Sequence, residues 1–244
     1  MACKAVMLDY IGTLVNPRNY SLEASRLKLH EALCKVGLRT NRDQFIEAYK
    51  KAHEKYRIIR YEKLKEVTNA VWVAEALTEA GCLVSSDDPR LRAALDVFFQ
   101  DFIDSLELKP QALELLKIVG KRCKVGLVSN FTYAPAIHAS LRKLGISEFF
   151  DAIVVSEEIG WRKPHKRIFE TALKRLRVGP AEAVFVGDSP TEDIHGARAL
   201  GIRTVFVPSH FFSVAELAEA GEKADFIMGD LQEICHRLPE VLGA

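Results

Sequence analysis

Short apolar runs separated by helical segments constrain the fold of this chain more than any other feature. The runs are rich in β-branched residues: KAVMLDY, CKVGLVSN, DAIVVSEE, AVFVGDS and RTVFVPS. Strands of a parallel sheet are buried on both faces, so they appear in a sequence as continuous apolar runs. Helices are predicted after Pro110 and from Pro135, Pro164 and Pro190. This alternation predicts an α/β fold, a doubly wound parallel sheet of the Rossmann-like type.

The segment that begins at Ser21, between the first two runs, has a different pattern. Apolar residues recur there every three or four positions, which is typical of one face of a helix. Four stretches show it: SLEASRLKLHEALCKVG, RDQFIEAYKKAHEKYRIIRY, KLKEVTNAVWVAEALTEAG and PRLRAALDVFFQDFIDSL. We therefore predict a core domain made of residues 1–15 and 107–244, and an all-helical cap domain, residues 16–106, inserted after the first strand.

The composition favours a protein that acts on small molecules. The chain has 244 residues, of which 48% are hydrophobic, so it can bury a substantial core. Its 34 Lys and Arg nearly balance its 33 Asp and Glu, so no overall basic field draws it to nucleic acid or to an anionic membrane. We expect a small-molecule substrate, no nucleic-acid or membrane partner, and a monomer or homodimer.

Two further patterns bear on the cellular location of the protein and on the redox state of its cysteines. The start, MACKAVMLDY, lacks the apolar region of a secretion signal, and no window approaches the roughly 20 apolar residues of a membrane span. The five cysteines are scattered without a C-x-x-C pair, which argues against a disulfide framework and against a thiolate metal site. We expect a cytoplasmic protein with reduced thiols.

Polar residues stand where the predicted strands end. Ligands of open parallel sheets bind beyond the carboxyl ends of the strands, so these residues are the candidates for chemistry. They are Asp9, Ser129 with Asn130, Lys163, Asp188 and, slightly further on, Asp193. Carboxylates that meet at one edge can hold a hard divalent cation, while a lysine and a hydroxyl can orient an anionic substrate. The sequence therefore predicts a site for a cation and an anionic group.

Each of these residues also has a purely structural explanation. Asp9 with Gly12 fits a simple turn, Ser129 fits the N-cap of a following helix, and a lysine before proline is usually a solvated loop residue. In GDSPTED, Ser189 and Glu192 fit a capping box around a helix start. The capping box leaves the two aspartates of that stretch without a role, and the ordered occurrence of all the motifs favours a functional site.

In this combination the sequence resembles the haloacid dehalogenase-like hydrolase superfamily, in the subgroup with a helical cap inserted after the first motif. The motifs that carry the resemblance are DYIGT, the Ser of VSN, the Lys of WRKPH, and GDSPTED. It implies that Asp9 is a nucleophile, that Ser129 and Lys163 hold the transferring group, and that Mg²⁺ is bound by Asp188 with the help of Asp193.

The predicted site residues are then, for catalysis, Asp9, Thr13, Ser129 and Lys163; for substrate binding, Gly12, Arg18, Asn130 and Arg162; and for Mg²⁺, Asp9, Ile11 through its backbone carbonyl, Asp188 and Asp193.

Ile11 departs from the family pattern. The resemblance implies a second Asp at this position in phosphatases, where it protonates the leaving oxygen and later deprotonates the attacking water. Isoleucine can do neither, and general acid-base help is typically worth about 10² to 10⁴-fold in rate. The sequence therefore predicts a Mg²⁺-dependent phosphatase of small phosphorylated metabolites that favours leaving groups needing little protonation, or one that borrows a proton carrier such as His165.

Three alternatives remain open at this stage. A 2-haloacid dehalogenase needs neither a leaving-group proton nor a metal, which suits Ile11 but leaves Asp188 unexplained. A phosphonate hydrolase would use a lysine of the cap as a Schiff base, with Lys50, Lys51 and Lys55 as candidates. A regulatory or binding protein that has lost its chemistry is the last alternative. The cap is expected to set substrate choice, whereas Trp72 is expected to serve packing.

Overall fold

The structure, a computed structural model, describes residues 3–243. Its strands are β1 (Ala5–Leu8), β2 (Val15–Pro17), β3 (Leu106–Leu108), β4 (Lys124–Ser129), β5 (Ala152–Val155), β6 (Ala183–Gly187), β7 (Arg203–Phe206) and β8 (Phe226–Ile227). The main sheet has six parallel strands in the order β5-β4-β1-β6-β7-β8, and β2 and β3 form a separate antiparallel ribbon.

Helices connect the strands and cover both faces of the sheet. They are α1 (Leu22–Lys35), α2 (Arg42–Lys63), α3 (Asn69–Glu79), α4 (Pro89–Ser105), α5 (Ala112–Gly120), α6 (Ala134–Lys143), α7 (Ser156–Ile159), α8 (Lys166–Leu176), α9 (Gly196–Arg198), α10 (Val214–Glu219), α11 (Leu231–His236) and α12 (Leu238–Leu242). A π-helical turn, Pro190–His195, leads into α9. Two single 3₁₀ turns lie at Ser147–Phe149 and Pro180–Glu182.

The strand order confirms the predicted doubly wound α/β fold. β1 lies in the middle, where Leu8 is in register with Leu127 of β4 on one side and with Val186 of β6 on the other. The chain builds the sheet outward from β1 through β4 and β5, and then returns to build the other half from β6. The order of the strands therefore reverses beside β1, and a crevice is expected at the carboxyl ends of these central strands.

The four long helices α1 to α4 lie between β2 and β3, and we call them the helical insert. They pack mainly in the pairs α1 with α4 and α2 with α3. Their apolar faces meet around fully buried side chains such as Phe45, Trp72 and Leu95, so Trp72 serves packing as expected. Asn16 pairs with Glu107 in the ribbon at the base of the insert. The division of the chain at residues 16 and 106 remains a prediction.

The structure differs from the sequence prediction at the junction between α2 and α3. The stretch from Leu64 to Thr68 is predicted as helix but forms a loop. Leu64 adopts the left-handed conformation with φ of 51°, which ends α2, and the Thr68 side chain accepts the backbone N–H of Ala70 as the N-cap of α3. The short strands β2, β3 and β8 are also absent from the prediction, because two or three residues show no periodicity. None of the helices within residues 3–243 combines the length and the apolar composition that a membrane span requires.

Candidate active site

Lys163 lies at the centre of a cluster built from the ends of several strands. Its Nζ is 2.7 Å from Oδ1 of Asp9, which follows β1, and 2.7 Å from Oδ1 of Asp193 in the π-helical turn after β6. It also donates a hydrogen bond of 2.9 Å to the carbonyl of Val128 in β4. Lys163 and Asp193 are each 1% exposed, so this pairing takes place out of water. The structure thus brings together polar residues that lie far apart in the sequence.

Three carboxylates surround this lysine. Asp9, Asp188 and Asp193 each offer an oxygen, and these oxygens all lie within 4.8 Å of one another. Burial, and next the charge of Asp9, raise the pKa of Asp188 to about 7. Burial likewise raises the pKa of Asp193 well above its ordinary value, although the Lys163 ammonium opposes this. One lysine therefore does not compensate the negative charge that the three ionised carboxylates would carry.

The lysine responds in the opposite direction. Burial disfavours its charged form, but the nearby carboxylates of Asp193 and Asp9 outweigh burial and hold the pKa of Lys163 above its ordinary value. Lys163 is therefore an ammonium at neutral pH, which can neutralise an anion and cannot act as a base. Lys163 therefore acts in the site through its positive charge.

The residues present fit a bound Mg²⁺. Hard divalent cations prefer carboxylate and carbonyl oxygens. The cluster offers three buried carboxylates, and the positive charge of one lysine does not balance them. The chain makes room for them, because Gly12 has φ of +96° and a Cβ there would clash with Oδ2 of Asp188. A Cβ at Gly187 would clash in the same way with Asp193. Both glycines therefore let carboxylates approach the backbone closely.

Hydroxyl and amide donors hold the carboxylates in place. Thr13, fully buried, donates to Oδ2 of Asp9 at 3.1 Å. The Ser209 hydroxyl donates to Oδ2 of Asp188 at 2.5 Å, and the Ser189 N–H donates to Oδ2 of Asp193 at 3.0 Å. Donors to an ionised carboxylate favour the charged form, so they oppose the effect of burial. The three aspartates are thereby oriented before any ligand arrives.

Two residues near the cluster are missing from the sequence prediction. One is Ser209, which follows β7; its position after a predicted strand was the available signal. The other is Lys109, whose Nζ donates to the backbone carbonyl of Gly12 at 2.8 Å. Burial lowers the pKa of Lys109, while the charges of Asp188, Asp230 and Asp9 oppose that shift. No local pattern in the sequence indicates that this lysine reaches back to the first motif.

The predicted substrate-binding residues lie in different surroundings. Asn130 holds the backbone of Lys163: its Oδ1 accepts the Lys163 N–H at 2.7 Å, and its Nδ2 donates to the Lys163 carbonyl at 3.0 Å. Arg162 is 3% exposed and donates to Glu192 at 2.8 Å. Arg18, by contrast, is exposed and pairs with Glu107 at 3.3 Å beside the β2–β3 ribbon. The structure therefore does not bring Arg18 to the carboxylate cluster.

Of the structural explanations considered for the motifs, the one for Ser129 is wrong and the one for GDSPTED is confirmed in part. Ser129 does not cap a helix; it is buried in β4, and the N-cap of α6 is Tyr133. The GDSPTED stretch is only half a capping box, since the Ser189 hydroxyl accepts the N–H of Glu192 at 3.2 Å. The Glu192 carboxylate is engaged elsewhere, by Arg162.

Neither the Ile11 side chain nor His165, the proton carrier considered in its place, is seen in contact with the three carboxylates among the contacts of residues 3–243. Ile11 is half-buried and packs against the main hydrophobic core. His165 stacks on Trp161, with ring centroids 3.8 Å apart, and its Nδ1 accepts the Arg167 N–H as the N-cap of α8. Burial, followed by the charge of Arg167, lowers the pKa of His165. His165 is therefore engaged in capping a helix.

The insert lysines do not resemble Schiff-base amines. Lys51 pairs with Glu79 at 2.9 Å and Lys55 with Glu75 at 2.8 Å, and the hydrogen bonds to these carboxylates raise the pKa of both lysines. An amine that forms a Schiff base needs a lowered pKa. Lys50 is exposed on the same helix. These observations speak against the phosphonate alternative.

Comparison with known proteins agrees with the geometry. A family model described as haloacid dehalogenase-like hydrolase matches residues 3–201. The chain belongs to the haloacid dehalogenase-like hydrolase family. This hydrolase is 33% identical over 205 residues to the glyceraldehyde 3-phosphate phosphatase of Methanopyrus kandleri, an alignment that covers 83% of this chain and 82% of the relative.

Other relatives match over shorter stretches. The ribulose-1,5-bisphosphate 5-phosphatase of Halopiger xanaduensis is 33% identical over 131 residues, which cover 53% of this chain and about half, 52%, of that relative. Among solved structures, a 2-haloacid dehalogenase from Pseudomonas syringae superposes with a TM-score of 0.64 at 23% identity, over 99% of this hydrolase and 98% of that chain. That likeness confirms the fold.

Proposed function

We propose that this hydrolase is a Mg²⁺-dependent phosphatase of small phosphorylated metabolites that works through an aspartyl-phosphate at Asp9. The observation that carries the proposal is the burial of three carboxylates around one lysine, a charge arrangement that suits a divalent cation and a dianionic phosphoryl group together. The relatives named as phosphatases support the same reaction class. A similarly folded hydrolase from Bacillus subtilis, 19% identical, is described as bound to magnesium.

In the proposed reaction an oxygen of Asp9 attacks phosphorus, and the bond from phosphorus to the leaving oxygen breaks. Thr13 and Lys163 orient the two oxygens of that carboxylate, so the attacking lone pair has a fixed direction. The Lys163 ammonium neutralises charge on the equatorial phosphoryl oxygens, and Ser129 is the proposed hydroxyl donor to them. Mg²⁺, held by Asp9, Asp188 and the backbone carbonyl of Ile11 with support from Asp193, would supply further positive charge.

Ile11 determines which leaving groups react well. Because it cannot donate a proton, the leaving oxygen departs as an anion or takes its proton from solvent. Aryl and acyl phosphates release weakly basic oxygens and should react faster than sugar phosphates. Hydrolysis of the aspartyl-phosphate also lacks the base that would activate water, so we expect the phosphoenzyme to accumulate.

The test is a panel of phosphorylated metabolites, aryl phosphates and haloacids, each assayed with Mg²⁺ and with EDTA. We expect phosphate release that requires Mg²⁺, and a burst of p-nitrophenol with an amplitude near one per protein from p-nitrophenyl phosphate. The Asp9→Asn variant is the control, because it keeps the shape of the site without the nucleophile. Absence of Mg²⁺-dependent phosphate release from every compound would overturn the proposal.

The dehalogenase alternative makes a different prediction in the same panel. Carboxylate attack on a 2-haloacid displaces halide without a metal, so halide release from 2-chloropropionate would persist in EDTA. Ile11 suits this reaction, but Asp188 and its Ser209 partner would then have no role in the chemistry.

A further inference from the structure

The helical insert touches the core next to Lys163. The loop that follows α2 runs beside the segment that precedes the lysine, and Lys65 pairs with Trp161 in a short antiparallel bridge. The Glu66 N–H donates to the Gly160 carbonyl at 3.1 Å, and the Arg162 N–H donates to the Leu64 carbonyl at 3.2 Å. The insert is thus hydrogen-bonded, through the backbone, to the residue immediately before Lys163.

Glu66 extends this contact with a charged side chain. Its carboxylate is 0% exposed. One oxygen accepts from Nε of Arg60 within the insert at 2.6 Å, and the other accepts from the Ser156 hydroxyl of the core at 2.6 Å and lies 3.9 Å from Nη1 of Arg162. A buried carboxylate is costly unless it is paired and hydrogen-bonded. Two of the partners that compensate the Glu66 carboxylate, Ser156 and Arg162, are in place only while the insert rests on the core.

From Arg162 the polar contacts continue to the catalytic lysine. Nη2 of Arg162 donates to Oε1 of Glu192 at 2.8 Å, and Oε2 of Glu192 accepts from Nδ2 of Asn130 at 2.9 Å. Asn130 in turn holds both backbone polar groups of Lys163. A continuous series of hydrogen bonds and ion pairs thus runs from the insert to the backbone of the residue whose Nζ lies between two aspartates.

Arg162 is the weak point of this series. It is 3% exposed, its Nε and Nη1 have no hydrogen-bond partner among residues 3–243, and its guanidinium lies over the ring of Tyr61, 4.3 Å from the ring centroid. The two carboxylates on either side of it, Glu66 and Glu192, supply its compensating charge. Removing the charge of Glu66 would leave Arg162 dependent on Glu192 alone and free to shift toward it.

We propose that Glu66 is a positioning residue, which acts through Arg162, Glu192 and Asn130 to place Lys163 when the insert is seated on the core. The inference rests on the proposed function for its effect on turnover, but the contacts themselves make a claim about the Lys163 backbone that needs no substrate. The contact between the insert and the core is thereby coupled to the position of Lys163.

The experiment compares Glu66→Gln with Glu79→Gln, which removes a carboxylate from an exposed ion pair of the same insert. Three quantities are measured: kcat and KM for the best phosphate ester of the panel, and the rate of amide hydrogen exchange of the Lys163 N–H, which donates to Oδ1 of Asn130. For Glu66→Gln we expect about a 10- to 100-fold fall in kcat, a nearly unchanged KM, and clearly faster exchange at Lys163. Glu79→Gln should match the parent protein in all three.

A double variant separates positioning from general loosening. If Glu66 acts through Glu192, the fold-loss in kcat of the double variant Glu66→Gln/Glu192→Gln should be smaller than the product of the fold-losses of the two single variants. A fall in melting temperature with kcat and Lys163 exchange unchanged would overturn the inference, since that is the behaviour of a structural ion pair. If no phosphate ester is hydrolysed, the proposed function fails, while the exchange at Lys163 still decides the coupling: unchanged exchange overturns it and faster exchange supports it.

Discussion

The ammonium of Lys163 lies 2.7 Å from Oδ1 of Asp193, and both side chains are 1% exposed. Two elements of the fold bring them together, the segment before α8 and the π-helical turn after β6. Because a second carboxylate, Asp9, lies at the same distance from Nζ, the lysine compensates the charge of both Asp9 and Asp193. The stability of the cluster therefore depends on the same ammonium that we propose to orient the substrate.

Replacing Lys163 by Met should destabilise the protein by about 3 to 5 kcal/mol, the usual result of removing one partner from a buried ion pair. The loss should depend on pH. Without the lysine the pKa values of Asp188 and Asp193 rise further, because the Lys163 ammonium lowers both. A carboxyl group with a raised folded-state pKa stabilises the fold at low pH and loses that contribution as pH rises through the folded-state value. The deficit should therefore be smaller at pH 5 than at pH 8.

Urea unfolding at the two pH values measures this difference. The matched control is Lys121→Met at an exposed position, which should change the free energy of unfolding little at either pH. Equal losses for Lys163→Met at pH 5 and pH 8 would contradict the charge assignment.

Binding of Mg²⁺ should strengthen with pH. In the metal-free protein the pKa of Asp188 is raised to about 7, chiefly by burial and next by Asp9. Below that pH a proton competes with the cation, so the dissociation constant should fall by about tenfold per pH unit between pH 5.5 and 6.5 and level off above pH 7.5. Calorimetric titration with MgCl₂ measures it. The Asp188→Asn variant should lose this pH dependence together with most of the affinity.

Gly12 offers a test with an internal control. Gly12 and Gly37 have similar positive φ values, 96° and 89°, but a Cβ at Gly12 would clash with Asp188, whereas a Cβ at Gly37 would meet no atom of the described part of the chain within 4 Å. Replacing either residue by Ala should cost about 1 kcal/mol for the left-handed backbone. Gly12→Ala should in addition weaken Mg²⁺ binding and turnover by at least tenfold, whereas Gly37→Ala should leave both unchanged. Unfolding curves and the phosphatase assay separate the two effects.

The sequence patterns predicted those residues of the candidate site that lie at the carboxyl ends of parallel strands. Asp9 and Asp188 lie at the ends of central strands, and a doubly wound sheet necessarily brings such ends to one edge. Ser209 could have been inferred by the same rule. The contacts of Lys109 with Gly12 and of Glu192 with Arg162 could not, because they depend on how loops from distant parts of the chain pack. Glu192 shows this limit: the capping rule predicts that its carboxylate accepts a backbone N–H, but in the structure it accepts from the buried Arg162.

The same limit explains the loop between α2 and α3. Helical periodicity continues through KLKEVT, but Glu66 lies in a loop, from which its carboxylate contacts Arg60, Ser156 and Arg162. A buried network of charges outweighs the few tenths of a kcal/mol per residue by which helix propensities differ. The segment that departs from the helical pattern is thus the one whose residues join the insert to the core.

Ile11→Asp should restore general acid-base catalysis and change the order of preferred substrates. The carboxyl group would protonate the leaving oxygen, a gain that grows with the basicity of that oxygen, so alkyl phosphates should gain about 10- to 100-fold in kcat/KM while aryl phosphates gain little. The burst with p-nitrophenyl phosphate should shrink, since the same carboxylate speeds water attack on the aspartyl-phosphate. Ile11→Asn is the matched control, because it adds polarity without a titratable proton. A uniform gain across all leaving groups, or an equal gain in Ile11→Asn, would show that Ile11 limits access to the nucleophile and not proton transfer.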